Sequence, residues 1–381
     1  MIGVGVEVMA LVLILSVFNG LESFQKDLFK SFDPDYKISF QKKGVFELDS
    51  AILSKLQGVS AVSYVIPVLE DQALMRYKGK QMVVQMKGVA PSFLASKRLS
   101  KNIAEGGYFL KDAEGKNDFA LVGLGIFLSL GLSFDDVFNP IEAWYPDHRS
   151  LKNFSLNENA IRSNTVFPSG VIAVEQGFDN QTVLVSLDWM QTLCGKEQQI
   201  SAFEVMVKEG TDEKELKAAL SKIVGKQFII ESRDEQHSSL LKAVSIEKFF
   251  VFLVMAFVMG IASFTLFYTL SLLVIEKKKD LKTLLSMGIT RQQLFRTFLF
   301  LGFIISFSGA IVGLLLGFSL AWAQEHFGII KMGIENGLVD AYPIKMKASD
   351  FLYTSILVIL ITLIAAIFPS KKAVNQTFDQ P

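Results

Sequence analysis

The sequence has almost no cysteine. Cys194 stands alone in 381 residues, which excludes an internal disulfide and any multi-cysteine zinc site and leaves a small buried apolar residue as its simplest reading. Histidine is nearly as scarce: His148, His237 and His326 are not paired at metal-ligand spacing. Neither a G-x-S-x-G elbow nor an H-E-x-x-H motif occurs. The G-x-x-x-x-G-K-[ST] phosphate loop is missing too. Gly-Lys pairs begin at Gly79, Gly115, Gly195 and Gly225, but none is followed by Ser or Thr, so the chain is not expected to hydrolyse ATP by that route. Net charge is also absent, with 38 basic and 38 acidic residues. Without a basic tail or basic excess, nucleic-acid binding has little support. Asp33 and Asp35 in "SFDPDYKI" could suggest a carboxylate pair, yet a turn around Pro34 accounts for them more simply.

What the chain has in abundance is apolar sequence, 50% of all residues, gathered near the two ends. A bilayer crossing takes about 20 predominantly apolar residues as a helix. Four stretches qualify: Met1 to Gly20, interrupted only by Glu7; Phe249 to Ile275, with no charge; about Leu294 to Ala323; and Phe351 to Phe368. The first lacks a basic leading segment and a small-x-small cleavage site, so it reads as a retained span and not a signal peptide. Lys277, Lys278, Lys279, Lys282, Arg291 and Arg296 follow the second span, and Lys371 and Lys372 follow the fourth. The loop between the third and fourth spans leans acidic, with Glu325, Glu335, Asp340 and Asp350 against Lys331, Lys345 and Lys347. Under the positive-inside rule the basic loop and the C-terminus face the cytoplasm, and the large segment after the first span lies outside.

That segment has a soluble pattern with a weak internal echo. "YKISF" alternates as a half-buried strand, "DSAILSKLQG" reads as a helix capped at Asp49 or Ser50 and stopped at Gly58, and "AVSYVI" reads as a strand. Further on, "AFEVMVK", a helix capped at Thr211 and stopped at Gly225, and "QFII" repeat the order. Two strand–helix–strand units therefore flank an insertion of about Ser92 to Ser201 and can pack as one split α/β subdomain. "ALMRYKGKQMVVQMKGV" reads as a hairpin turning at Gly79. The insertion, with a short helix in "LVGLGIFLSLGL" and strands in "GVIAV" and "TVLVSL", suggests a second, mostly β lobe.

Between the second and third spans lies "VIEKKKDLKTLLSMGITRQQLFRTF". Leu281, Leu284 and Leu285 recur at helical spacing while the lysines take other faces, which predicts an amphipathic helix of about three turns. Gly288 can end it in a left-handed conformation, and Thr290 with Gln293 forms a capping box for the next helix. A lipid-surface helix and a helix gripped by a cytoplasmic protein both fit this pattern. In the third span Gly309, Gly313 and Gly317 line one face and permit close backbone approach, either to another span of the chain or to a second copy. Asp234 to Phe250, free of Pro and Gly, predicts one continuous helix running into the second span.

The stretch from Val274 to Gly317 resembles the signature of FtsX-type ABC transporter permeases, the MacB/LolC/LolE superfamily. Glu276, Asp280, Met287, Gly288, Gly309, Gly313 and Gly317 match its pattern. "ALVLILSVFNGLESF", "SFDPDYKI", "VFPSGVIAVEQGFDNQTVLVSLDWMQTLCG" and "FPSKKA" are similar to the lipoprotein-releasing branch, especially its Bacteroidetes-like members. The resemblance implies a four-span α-helical membrane protein with a large α+β extracytoplasmic domain between the first two spans. The implied layout is a first span at 1–20, a periplasmic core at 21–247, and further spans at 248–275, 291–323 and 351–369. The core would divide into a porter lobe (21–91 and 202–247) and a sabre-like insertion (92–201). A coupling helix would occupy 276–290, a periplasmic loop 324–350 and a cytoplasmic tail 370–381. Members usually carry a basic segment before the first span, whereas this sequence opens inside it, with Glu7 at a usually apolar or small position; a trimmed or misassigned start is the expectation.

The implied function is that of the membrane subunit of a mechanotransmission (type VII) ABC transporter in the bacterial inner membrane. A separate LolD-like ATPase dimer would bind ATP and Mg, and this chain would bind no cofactor and catalyse nothing itself. That dimer would grip Glu276, Lys278, Asp280, Leu281, Leu284, Leu285, Met287 and Gly288. Further partners would be a second permease copy or paralogue, a lipoprotein substrate and a LolA-like periplasmic carrier. Leu13, Val17, Phe252 and Met259 are the candidates for acyl-chain contact. Two other readings are a MacB-like efflux subunit and an FtsX-like regulator of cell-wall hydrolases.

Overall fold

The computed structural model describes residues 2–41, 44–146, 161–331 and 341–378, with the side chains of 285, 373 and 376–378 outside that description. The chain forms two compact units, one of Met1–Gln25 with Ser239–Pro381 and the other of Lys26–Ser238.

The first unit is built on four helices long and apolar enough to cross a membrane. The first span is Ile2–Phe32, extending twelve residues past Gly20, where the apolar run ends. Gly20 does not stop it, because nothing at Leu21–Phe32 breaks a helix and Leu21, Phe24 and Leu28 prolong the apolar periodicity. Instead Gly20 makes room: a Cβ there would collide with the carbonyl of Pro343. The second span is Ser238–Glu276, the third Arg291–Phe327 and the fourth Ala348–Phe378. The fourth runs through Pro369 to Phe378, so most of the expected tail is helical. All four meet in one apolar core, where Val8, Leu11, Met259, Ala310 and Val358 are buried together.

The expected helix from Asp234 is interrupted. Arg233–Gln236 is a separate turn closed by a Ser232–Glu235 capping box, and the long helix begins only at Ser238. His237, at the break, stacks on Phe29 with ring centroids 3.7 Å apart and meets Asp33 through Nε2 at 2.5 Å. Asp35 pairs with Arg233 and accepts from the Val207 amide at 2.8 Å. Asp33 and Asp35 are thus anchors of the local structure.

The unit Lys26–Ser238 is α+β. Its strands are β1 (Tyr36–Phe40), β2 (Phe46–Glu47), β3 (Val62–Tyr77), β4 (Lys80–Val89), β5 (Ile103–Gly106) and β6 (Phe119–Gly123). They continue with β7 (Ile141–Pro146), β8 (Ile161–Ile172), β9 (Thr182–Ser186), β10 (Gln199–Ile200), β11 (Ala202–Val207) and β12 (Phe228–Ser232). Order β12-β1-β11-β3, antiparallel throughout, joins the two strand–helix–strand units as a split α/β sheet. The helices Ser50–Gln57 and Glu213–Val224 bury Leu56, Leu216 and Leu220 against one face. The second helix is capped by Asp212, whose carboxylate accepts from two backbone amides, and not by Thr211. An Asp held in place by two N–H groups outcompetes the neighbouring hydroxyl.

Among the described residues, the strands of the insertion do not form a sheet of their own but share one with β3 and β4. β3 is a 16-residue strand whose first half pairs with β11 and whose second half pairs with β4 through a turn at Lys78 and Gly79, both at positive φ. The free edge of β4 then takes β9 in parallel, β9 takes β6, β6 takes β8, β8 takes β7, and β7 returns to β3 at Leu74 and Trp144. The ladder closes on itself, which removes edges that would otherwise be open to wrong pairing. Met86, Val122, Val166 and Val183 lie in the buried cluster of this β-rich half.

Candidate functional site

The corner between the second and third spans is set by local chemistry. The second span ends at Glu276 and a short helix follows at Lys278–Ser286. The amides of Met287 and Ile289 both donate to the Leu284 carbonyl, at 3.1 and 3.2 Å, while Gly288 sits at φ +90°. That conformation is costly for any residue with a Cβ. Thr290 and Gln293 form the reciprocal capping box: the Thr290 amide donates to Gln293 Oε1 at 2.9 Å and the Gln293 amide to Thr290 Oγ1 at 3.3 Å. Two orphan donors at the start of the third span are satisfied this way.

Leu281 is the anchor of the short helix. It is buried with Val274, Leu294, Phe298 and Val374, from the second, third and fourth spans. This corrects its expected role: a side chain committed to the chain's own core cannot also fill a groove on another protein. Leu284 is 40% exposed and Met287 78% exposed, so these two remain available on the outer face. Glu276, Lys278 and Asp280, N-terminal to Leu284, are exposed as well, and Lys277 pairs with Asp280 at 3.1 Å. The Leu285 side chain lies outside the described residues. The corner therefore presents an apolar ridge edged by charges, held by an apolar pin and a glycine hinge.

The glycine stripe of the third span packs within the chain. A Cβ at Gly313 would collide with the Gly5 carbonyl oxygen and crowd Val8 Cβ at 2.9 Å; one at Gly317 would sit 3.3 Å from Val12 Cβ. Gly5 in turn faces the Gly309 carbonyl, at 3.1 Å from its own would-be Cβ. Of the two contacts open to this stripe, the structure realises the one with the first span.

The four candidate acyl-contact residues do not converge. Met259 is only 1% exposed, in the core of the four helices, and is corrected from a lipid contact to a packing residue. Leu13 and Val17 are half-buried on the first span, and Phe252 lines a groove with Leu15 and Leu357. At the mouth of that groove lies a polar cluster that the sequence pattern does not single out, made by Asn19, Lys248 and Asp350. A usable signal existed: each is a polar residue standing where an apolar run begins or ends. Of the histidines, His326 bonds through Nδ1 to the Trp322 carbonyl at 3.1 Å, and His148 lies outside the described residues.

Residues 252–378 match the FtsX-like permease C-terminal family, a stretch that holds the corner, the glycine stripe and the last two spans. Over nearly its whole length the chain is similar to the lipoprotein-releasing system transmembrane protein LolC of Neisseria meningitidis serogroup B, at 21% identity across 97% of this chain and 90% of that protein. It is similar to LolE of Haemophilus influenzae at 21% identity, covering 84% of this chain and 77% of the relative. An ABC transporter permease of Methanocaldococcus jannaschii is 26% identical over 39% of this chain and 38% of its own length. Among solved structures, the periplasmic region of MacB from Actinobacillus actinomycetemcomitans aligns with a TM-score of 0.39 and 10% identity, covering 55% of this chain and 94% of that one.

Proposed function

From an FtsX-like permease region at residues 252–378, we propose that this chain is the membrane subunit of an ABC transporter that releases lipoproteins from the bacterial inner membrane. ATP would be hydrolysed by a separate cytoplasmic ATPase dimer, LolD-like in kind. The observation that carries the reading is the corner itself. Leu284 and Met287 are exposed on a short helix edged by charge, and that helix is pinned through Leu281 to three spans. A partner that grips the exposed ridge and moves it would move the spans with it.

The second span supports the transmission step. It is one helix of 39 residues ending at the corner, roughly 58 Å long at 1.5 Å per residue. Lipoprotein as cargo rests on the near-full-length similarity to LolC and on energetics. Each acyl CH₂ taken from the bilayer costs about 0.8 kcal/mol, so extracting several chains demands a motor. A LolA-like carrier would receive the cargo outside.

Depleting this chain in its own bacterium and fractionating the membranes tests the proposal. Outer-membrane lipoproteins should accumulate in the inner membrane. An unchanged distribution accompanied by drug sensitivity would point to efflux. An unchanged distribution accompanied by failed cell separation would point to hydrolase regulation. Either result would overturn the lipoprotein reading.

A further inference from the structure

At one rim of the membrane unit, three polar side chains from three spans are drawn together. Asn19 is fully buried; its Nδ2 donates to the Asp350 carboxylate and to the Lys345 carbonyl, the latter at 3.2 Å. Lys248 Nζ donates to Asn19 Oδ1 at 2.7 Å and stands 3.5 Å from Asp350 Oδ2. The Asp350 side chain is 8% exposed and that of Lys248 25%. Directly beside this cluster a groove of about 450 Å³ opens among Leu15, Phe249, Phe252, Tyr353, Ile356 and Leu360. A second groove of about 490 Å³ follows between the same second and fourth spans, at Phe264, Phe267, Ile364 and Phe368. From Tyr353 to Phe368 the fourth span rises about 22 Å, against a hydrocarbon core of about 30 Å for a whole bilayer.

An apolar slot alone would accept any acyl chain. The mouth adds selection, because an acid and a base stand side by side at the depth where the spans begin. A lone lysine would favour an anionic head group and a lone aspartate would repel one. Together they match a head that carries both charges. Lys248 uses one of its three donors on Asn19 and spends a long contact on Asp350, so a donor is left for a phosphate oxygen. Among the described residues, Asp350 Oδ1 has only a 3.5 Å contact, from Ser349 Oγ, and can accept a cationic group.

We propose that this slot binds a zwitterionic phospholipid from the surrounding bilayer. Its phosphate sits on Lys248, its cationic group on Asp350, and one acyl chain runs along the second and fourth spans. The assignment does not depend on lipoprotein release.

The test uses the purified full chain in mild detergent, offered equal amounts of phosphatidylcholine, phosphatidylethanolamine and phosphatidylglycerol with identical acyl chains, and native mass spectrometry. The two zwitterionic lipids should be retained about tenfold over phosphatidylglycerol, the discrimination that one charge-assisted contact supplies. Asp350→Asn should reverse that order toward phosphatidylglycerol, a reversal that misfolding cannot produce. Ile356→Trp, which fills the groove and leaves the polar cluster intact, should lower retention of all three. Equal retention of the three lipids by the wild type would overturn the proposal. So would an unreversed order in Asp350→Asn, full retention by Ile356→Trp, or a lipid-free dimer mass in place of the lipid adduct.

Discussion

Glu70 shows how single residues carry the α+β unit. Burial would push its carboxyl up, but Lys87 and Lys37 beside it hold it down at about 2. The same network holds Glu204, 1% exposed, between Lys87 and Arg98, the latter at 2.8 Å. An acid held below its ordinary range binds fewer protons folded than unfolded. Its stabilisation is therefore complete above pH 4.5 and is lost as the pH falls toward about 2. Unfolding followed by Trp144 and Trp189 fluorescence in a Trp322→Phe background should show this acid limb. Glu70→Gln should flatten it and cost roughly 3 kcal/mol at neutral pH, because Lys37 loses its carboxylate partner. A variant as stable as the parent at pH 7 would show that the network contributes little. Gly313 is a second such residue. Gly313→Ala should destabilise the membrane unit by about 1–3 kcal/mol, since its Cβ meets the backbone of Gly5 and the Cβ of Val8, neither of which a rotamer change can move aside. Thermal unfolding in detergent measures it, and an unchanged midpoint would mean that the first and third spans do not approach this closely.

At the scale of elements, the corner was legible because its signals are local. The Gly288 hinge and the Thr290–Gln293 box are read from neighbouring residues, and both are present. Which leucine faces inward was not legible. Leu281 and Leu284 lie three apart on one stripe, and only the tertiary cluster with Phe298 and Val374 separates them. Met259 failed for a related reason: the second span is apolar on every side, so hydrophobicity does not say which face meets lipid. The closed β-ladder was hidden because its deciding contact, β4 with β9, joins residues about a hundred apart in parallel. Leu284→Asp with Leu285→Asp should abolish co-purification with the ATPase while the chain still inserts in the membrane; undiminished recovery of the ATPase would remove the corner from that interface. Gly288→Val should weaken the same interaction about tenfold by forcing a β-branched residue to positive φ, roughly 1–2 kcal/mol. Titrating detergent-solubilised chain against the ATPase reads that change.

For the whole molecule, composition and run lengths were enough to locate four spans and an α+β unit between the first two, because a helix crossing a bilayer takes about 20 predominantly apolar residues and four stretches of the sequence supply them. In the proposed mechanism, ATP turnover by a separate ATPase at the corner drives lipoprotein out of the bilayer through this chain. The direct measurement is release from proteoliposomes that contain this chain, its ATPase and a labelled triacylated lipoprotein, with ATP hydrolysis followed in the same sample. ATP should move the label into the soluble fraction when a carrier is present. A few glycines inserted between Ala243 and Lys248, within the helix Ser238–Glu276, should stop release while hydrolysis continues. Label that stays in the membrane despite brisk ATP turnover by the wild type, or release that proceeds at the normal rate through the glycine insertion, would contradict the account.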